Sequence, residues 1–252
     1  PMRTITTDVL VIGGGATGAT VTGLPPGVNF SLNAGILTIS GSPSTTAGGP
    51  YFNFHVITQG NTCLQAQASG RIRVNPYPVP DFITDKTTYC LPNAVVGFIN
   101  KSTIEDGTPM TYEWNFGDGS ALMYSVNALH QYLSTGPFPV KLTVRSNAVL
   151  TPAGNGCVHD TTILLTRIHP QPKADFITDK PTSCQFQQVL FTDKSDGKDA
   201  LINQWHWDMG DGSILLTNPV SHAFNDTTTY QVTFFRVIAP DGTRICNSTR
   251  TI

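Results

Sequence analysis

Two aspartates stand in the same seven-residue setting. Asp118 lies in Trp114-Asn115-Phe116-Gly117-Asp118-Gly119-Ser120, and Asp211 in Trp207-Asp208-Met209-Gly210-Asp211-Gly212-Ser213. A carboxylate on a tight turn can serve as a base or nucleophile when a second group shares its proton. The same setting also explains the carboxylate structurally, since glycine supplies positive φ and Asp accepts hydrogen bonds from turn amides. The turn accounts for both residues, so no catalytic residue is expected. Of the six histidines, His130 and His222 stand at equivalent places after the two motifs and are expected to pack or hydrogen-bond. No HExxH, Cys-x-x-Cys or Gly-x-Ser-x-Gly pattern occurs, which argues against a transition-metal site and a serine-hydrolase elbow.

Three other stretches could carry chemistry. Asp8-Val9-Leu10-Val11-Ile12-Gly13-Gly14-Gly15-Ala16-Thr17-Gly18 fits G-x-G-x-x-G after a strand and looks like the start of a flavoprotein oxidoreductase. That motif needs a helix next, to hold the pyrophosphate at its N-terminus. Here Pro25, Pro26 and a β-branched run follow instead, and no acidic residue stands about 20 positions on to hold a ribose. A Gly-rich loop between strands is the reading, and no cofactor is expected. In Asp193-Lys194-Ser195-Asp196-Gly197-Lys198-Asp199, oxygens of Asp193, Ser195, Asp196 and Asp199 could wrap Ca²⁺, against a plain solvated loop. Tyr77, Tyr89, Tyr124 and Trp205 are candidates for a glycan platform, against ordinary core or edge packing; Trp205 stands two residues before Trp207, on the same side of one strand.

The elements that carry these residues are strands. Charged residues make up 13% of the 252, and Gly and Pro number 23 and 18. Short β-rich runs are punctuated by Gly, Pro and Asn, with no long amphipathic helical stripe. Tyr51-Phe52-Asn53-Phe54-His55-Val56-Ile57-Thr58 alternates with period two, Ile36–Pro43 reads as a strand and turn, and Gly70–Val74 as a closing strand. Net charge is −2 without a basic block, which argues against nucleic acid and anionic membrane surfaces as partners. No run approaches 18 apolar residues, so no helical membrane insertion is expected.

The chain repeats itself. Asp81-Phe82-Ile83-Thr84-Asp85-Lys86 returns as Asp175-Phe176-Ile177-Thr178-Asp179-Lys180, and Cys90 as Cys184, both 94 positions later; the Trp motif returns after 93 and His130 after 92. Shrinking offsets mean loop deletions in a tandem domain repeat. Asn75–Pro80 and His169–Lys173 carry alternate prolines and read as semi-rigid spacers. Of five cysteines, Cys90 and Cys157 fall in one repeat and Cys184 and Cys246 in the next. One pair per repeat suggests Cys90–Cys157 and Cys184–Cys246 disulfides and an oxidising compartment, against four buried thiols; Cys63 is left over.

Gly15–Val28, Leu37–Pro43 and Ala68–Val74 resemble the immunoglobulin-like repeats of very large Bacteroidetes surface proteins. That resemblance implies a partner for Cys63 in a first strand, where this sequence has no cysteine. The Trp motifs, the Asp-Phe openings and the late His-x-aromatic strands resemble PKD (polycystic kidney disease) domains, which are immunoglobulin-like sandwiches; Met209 stands where the family usually has Phe. The structural motif residues are then Trp114, Gly117, Asp118, Gly119, Trp207, Gly210, Asp211 and Gly212. Asp160-Thr161-Thr162 and Asp226-Thr227-Thr228 resemble the O-glycosylation triplets of Bacteroidetes secreted proteins, with Thr161 and Thr227 as acceptors.

The expectation is an all-β chain of three tandem immunoglobulin-like β-sandwiches joined by Pro-rich linkers. Residues 1–75 form a sandwich truncated at its start, 76–168 a PKD-like sandwich, and 169–252 a second PKD-like sandwich whose final strand is incomplete. The resemblance implies a non-catalytic piece of a long extracellular surface protein, with neighbouring domains, surface glycans or other surface proteins as partners. The alternative implied is a substrate-binding or spacer module of a secreted hydrolase.

Overall fold

The computed structural model describes residues 5–10, 18–44, 51–60, 65–147, 149–150, 154–199, 201–202, 204–238 and 246–252. Every regular element among them is a strand. The chain forms two compact units. The first comprises residues 1–79, 103–110 and 144–159, and the second 80–102, 111–143 and 160–252.

The first unit opens with six strands: β1 (Ile5–Leu10), β2 (Gly18–Thr22), β3 (Val28–Asn33), β4 (Ile36–Gly41), β5 (Tyr51–Gln59) and β6 (Gln67–Arg73). They make two three-stranded sheets, ordered β1-β4-β3 and β2-β5-β6. Leu37, Ile39, Phe54, Val56 and Ile72 are buried in one cluster. The period-two pattern of β5 therefore resolves with Phe54, Val56 and Thr58 facing inward. Gly70 lies opposite Phe54, and a side chain there would enter the Phe54 ring, 2.3 Å from its Cζ. Residues 11–17, which contain most of the Gly-rich motif, and Cys63 lie outside the described residues.

The next ten strands are β7 (Phe82–Thr84), β8 (Tyr89–Cys90), β9 (Ala94–Asn100), β10 (Met110–Asn115), β11 (Ala128–Tyr132), β12 (Phe138–Ser146), β13 (Val149–Leu150), β14 (Gly154–Asn155), β15 (Val158–Leu165) and β16 (Ile168–His169). Sheets β11-β9-β7 and β10-β12-β15 supply the two faces, and β8 pairs in parallel with β16. In the core, Trp114 is fully buried and meets Phe82 and Phe98 at 5.1 and 5.7 Å between ring centres. Its indole N–H donates to the Ser125 carbonyl at 3.0 Å, so the polar edge of the ring is satisfied inside the core.

The last seven strands repeat the plan: β17 (Phe176–Thr178), β18 (Gln188–Asp193), β19 (Gln204–Asp208), β20 (Ile214–Leu215), β21 (Val220–Ala223), β22 (Thr233–Ile238) and β23 (Cys246–Thr251). Their sheets run β17-β18-β21 and β20-β19-β22-β23. Trp207 takes the place of Trp114, stacked on Phe234 at 4.0 Å, with its N–H donating to the Thr217 carbonyl at 2.9 Å. The last strand of the sequence, β23, pairs with β22 from Thr233↔Thr251 to Ile238↔Cys246.

Candidate functional site

The two Gly-Asp-Gly turns hold the closest pairs of titratable groups that recur in both repeats. Asp118 Oδ1 accepts the Ser120 amide at 3.1 Å and the Ser120 hydroxyl at 2.6 Å. Its other oxygen, Oδ2, lies 2.6 Å from His130 Nε2 on β11. Asp211 repeats this, taking the Ser213 amide at 2.9 Å and His222 Nε2 on β21 at 2.7 Å. Each carboxylate thus ties its turn to the opposite sheet. Burial pushes the Asp118 carboxyl up, but the Ser120 hydroxyl, the His130 ring and the Ser120 amide outweigh it and hold the group down at about 2. Asp211 is also held below the usual carboxylate range: burial raises it, and His222 with Ser213 outweighs that.

The arrangement does not build a catalytic relay. A nucleophile activated by histidine must bond to the ring, with the carboxylate behind it. Here Ser120 bonds to the carboxylate instead. Phe116 covers one face of His130, stacked at 4.0 Å and 4°, and Tyr132 meets its edge. The Tyr132 hydroxyl donates to the Phe116 carbonyl at 2.9 Å, which pins the strand leading into the turn. The sequence placed His130 and His222 at equivalent positions but did not name their partners; the matching offsets of turn and histidine were the available signal.

The calcium candidates do not converge. Asp193 Oδ1 accepts the Ser195 amide at 2.8 Å, and its Oδ2 accepts the Trp205 indole N–H at 2.9 Å. The Ser195 hydroxyl donates to the Asp175 carbonyl. Asp196 takes the Lys198 amide and ammonium, and Asp199 faces His169 Nδ1 at 2.7 Å. Each of the four side chains already has a partner of its own, and among the described residues no three acidic, His or Cys side chains gather round a point.

The aromatic candidates also separate. Tyr89 is buried, and its hydroxyl donates to Asp85 at 2.6 Å, while that carboxylate accepts the Gly97 amide at 2.8 Å. Burial and Asp85 push the phenol up to about 12. Trp205 is half-buried and packs on the core of its own repeat. Tyr77 meets His159 edge-on at 6.4 Å. Tyr124 is 70% exposed and faces Glu113, whose charge raises its phenol. Thr161 is half-buried within β15 and Thr227 is exposed on a bend. Both neighbouring aspartates are engaged: Asp160 with Lys141 at 3.2 Å, and Asp226 as acceptor of the Tyr230 hydroxyl.

The cysteines correct the expected pairing. Cys90 is bonded to Cys246, 156 residues away, with Cα atoms 5.5 Å apart. Neither Cys90–Cys157 nor Cys184–Cys246 forms. Cys157 lies opposite Ser146 at the start of the closing ladder and donates to the Asn75 carbonyl, while Cys184 is an exposed thiol. Cys90 sits on β8, held against β16 by the Tyr89 and Leu91 amides, which donate to the Arg167 and His169 carbonyls at 2.9 and 3.0 Å. That edge brings it to the first residue of β23. The bond therefore links one repeat to the other.

The PKD domain pattern matches residues 75–153 and 169–252. The chain belongs to the PKD domain family. Both matched segments carry the Trp-x-x-Gly-Asp-Gly-Ser turn with its Asp–His pair. Among solved structures, the eight N-terminal immunoglobulin domains of Down Syndrome Cell Adhesion Molecule align with 98% of this chain at a TM-score of 0.51 and 11% identity. The chain spans 34% of that structure's length, and the likeness is one of fold. Mouse Cadherin-23 EC22-24 aligns with 92% of this chain and 83% of its own, at 13% identity and a TM-score of 0.32. No helix among the described residues is long and apolar enough to cross a membrane.

Proposed function

We propose that this chain is a non-catalytic segment of a long extracellular bacterial surface protein, a stalk, filament or adhesin that serves surface adhesion or gliding. The observation that carries the reading is the Cys90–Cys246 bond, which joins two PKD repeats covalently. A crosslink of that kind persists in an oxidising compartment and is rare in a reducing cytosol. The polar pairs at the Gly-Asp-Gly turns serve the fold: each Asp–His contact is spent on tying a turn to a sheet. The partners proposed are neighbouring immunoglobulin-like and PKD domains of the same polypeptide, together with surface glycans or other surface proteins. Thr161 and Thr227 are proposed as O-glycan acceptors, Thr227 with the more open setting.

Antibodies raised against the folded 252-residue protein test the reading on intact source cells. Labelling without permeabilisation, and loss of surface attachment or gliding on deletion of the gene, are the expected results. Signal that appears only after permeabilisation would overturn the extracellular placement. Polysaccharide hydrolase activity residing in the same full-length polypeptide would make these repeats accessory modules of a secreted enzyme instead.

A further inference from the structure

Cys184 occupies in the second PKD repeat the place that Cys90 occupies in the first. Both follow the Asp-Phe-Ile-Thr-Asp-Lys stretch by the same spacing. The local frame agrees: Asp85 accepts the Gly97 amide at 2.8 Å, and Asp179, 94 positions on, accepts the Leu190 amide at 2.7 Å. Cys157 and Cys246 correspond in the same way at the other end of the fold. The Cys157 carbonyl accepts the Ser146 amide at the start of one closing ladder, and Cys246 pairs with Ile238 at the start of the other. The observed bond thus joins an early-edge cysteine of one repeat to a closing-strand cysteine of the next.

We propose that Cys184 is a second inter-repeat disulfide site. Its partner is the closing-strand cysteine of another PKD repeat, set as Cys246 is set in this chain. Cys184 is an exposed thiol, and two residues on Phe186 is 67% exposed at φ 65°. An exposed thiol beside an exposed phenyl ring offers an apolar seat for an incoming strand edge as well as the sulfur. The proposal rests on the observed crosslink and the repeat, and holds whether or not the chain is adhesive. Two thiols lose two protons and two electrons as the S–S bond forms. The electrons pass to the disulfide of an oxidant, a thiol–disulfide oxidoreductase in the cell or glutathione disulfide in the tube, through a mixed disulfide that leaves two reduced thiols.

The test extends the full chain. A second copy of residues 164–252 is placed directly after Ile252, the protein is refolded with glutathione disulfide, and non-reducing peptide maps are read after alkylation. The expected product is a monomer in which Cys184 is linked to the appended copy of Cys246, with Cys90–Cys246 intact. The same linkage found between molecules would show that the partner repeat comes from a second copy. Cys184 recovered fully alkylated, with Cys90–Cys246 in place, would overturn the proposal. A second variant guards against misfolding of the extension: in the 252-residue chain, Cys90→Ser releases Cys246. Oxidation should then give dimers joined through Cys184 and Cys246, lost on adding Cys184→Ser. An intramolecular Cys184–Cys246 bond, or both thiols alkylated, would overturn it.

Discussion

Asp118 and Asp211 hold the same turn with different neighbours above it: the phenyl ring of Phe116 stacks on His130, whereas the second motif places the buried Met209 at that position. Asp118→Asn should cost about 1–2 kcal/mol, because a charged acceptor of several hydrogen bonds becomes neutral. That corresponds to a fall of several degrees in melting temperature for a domain of this size, measurable by thermal unfolding at neutral pH. The pH dependence follows from the sign of the shift. The folded-state value is depressed to about 2, so the stabilisation is fully present above the ordinary carboxylate range and is lost as pH falls through about 2. Wild-type protein should lose stability between about pH 4 and pH 2, and Asp118→Asn should lose measurably less over that window. Equal losses in both would show that the Asp118 carboxylate does not carry the effect. The turn itself was legible in the sequence because two glycines flanking an Asp supply the positive φ and the local acceptor that a tight turn needs. The histidine partner was not, since nothing local to His130 says which turn it will face.

Within an element, the two glycines of one turn differ in what surrounds them. Gly117 sits at φ 76°, and a Cβ there would stand 2.6 Å from the Pro139 carbonyl oxygen. Gly119 sits at φ 83° and faces open space. Gly117→Ala should therefore cost well over 2 kcal/mol, and Gly119→Ala about 1 kcal/mol, the backbone term alone. Chemical denaturation of the two variants separates clash from strain, and similar midpoints would contradict the packing at Pro139. On β19, Trp205→Phe removes the indole donor from Asp193, and a loss of about 1 kcal/mol is expected by the same assay. Strand identity was readable wherever one face is buried, as in β5, where Phe54 and Val56 alternate with half-exposed neighbours. The aromatic candidates were less readable: period two puts Trp205 and Trp207 on one side of a strand, yet only the fold fixes that Trp205 is bound to a carboxylate.

At the scale of the whole molecule, the repeat told more than the cysteines did. Matching offsets predicted two similar sandwiches, and both Trp114 and Trp207 are fully buried at their centres. The same symmetry favoured one disulfide inside each repeat, because four cysteines allow three pairings and spacing alone does not choose. The parallel contact of β8 with β16 decides the matter, and no local signal in the sequence announces it. Closing a loop of 156 residues restricts the unfolded chain heavily, by up to about 5 kcal/mol in a chain-entropy treatment. The double variant Cys90→Ser/Cys246→Ser should therefore unfold at lower denaturant, followed through the fluorescence of the buried tryptophans; an unchanged midpoint would mean that the crosslink adds nothing. The crosslink also sets the route that tension takes. Pulled between Pro80 and Ile252, the oxidised chain carries force from Pro80 to Cys90, across the sulfurs, and from Cys246 to Ile252. Most of both PKD repeats hangs beside that line as an unstretched bight. On reduction the line must run through both sandwiches, and a single-molecule extension trace should gain about 500 Å of contour length. Redox state then decides how much of these two domains a pull can unravel: only β7, β8 and β23 lie on the line in the oxidised chain, and both whole sandwiches lie on it in the reduced one.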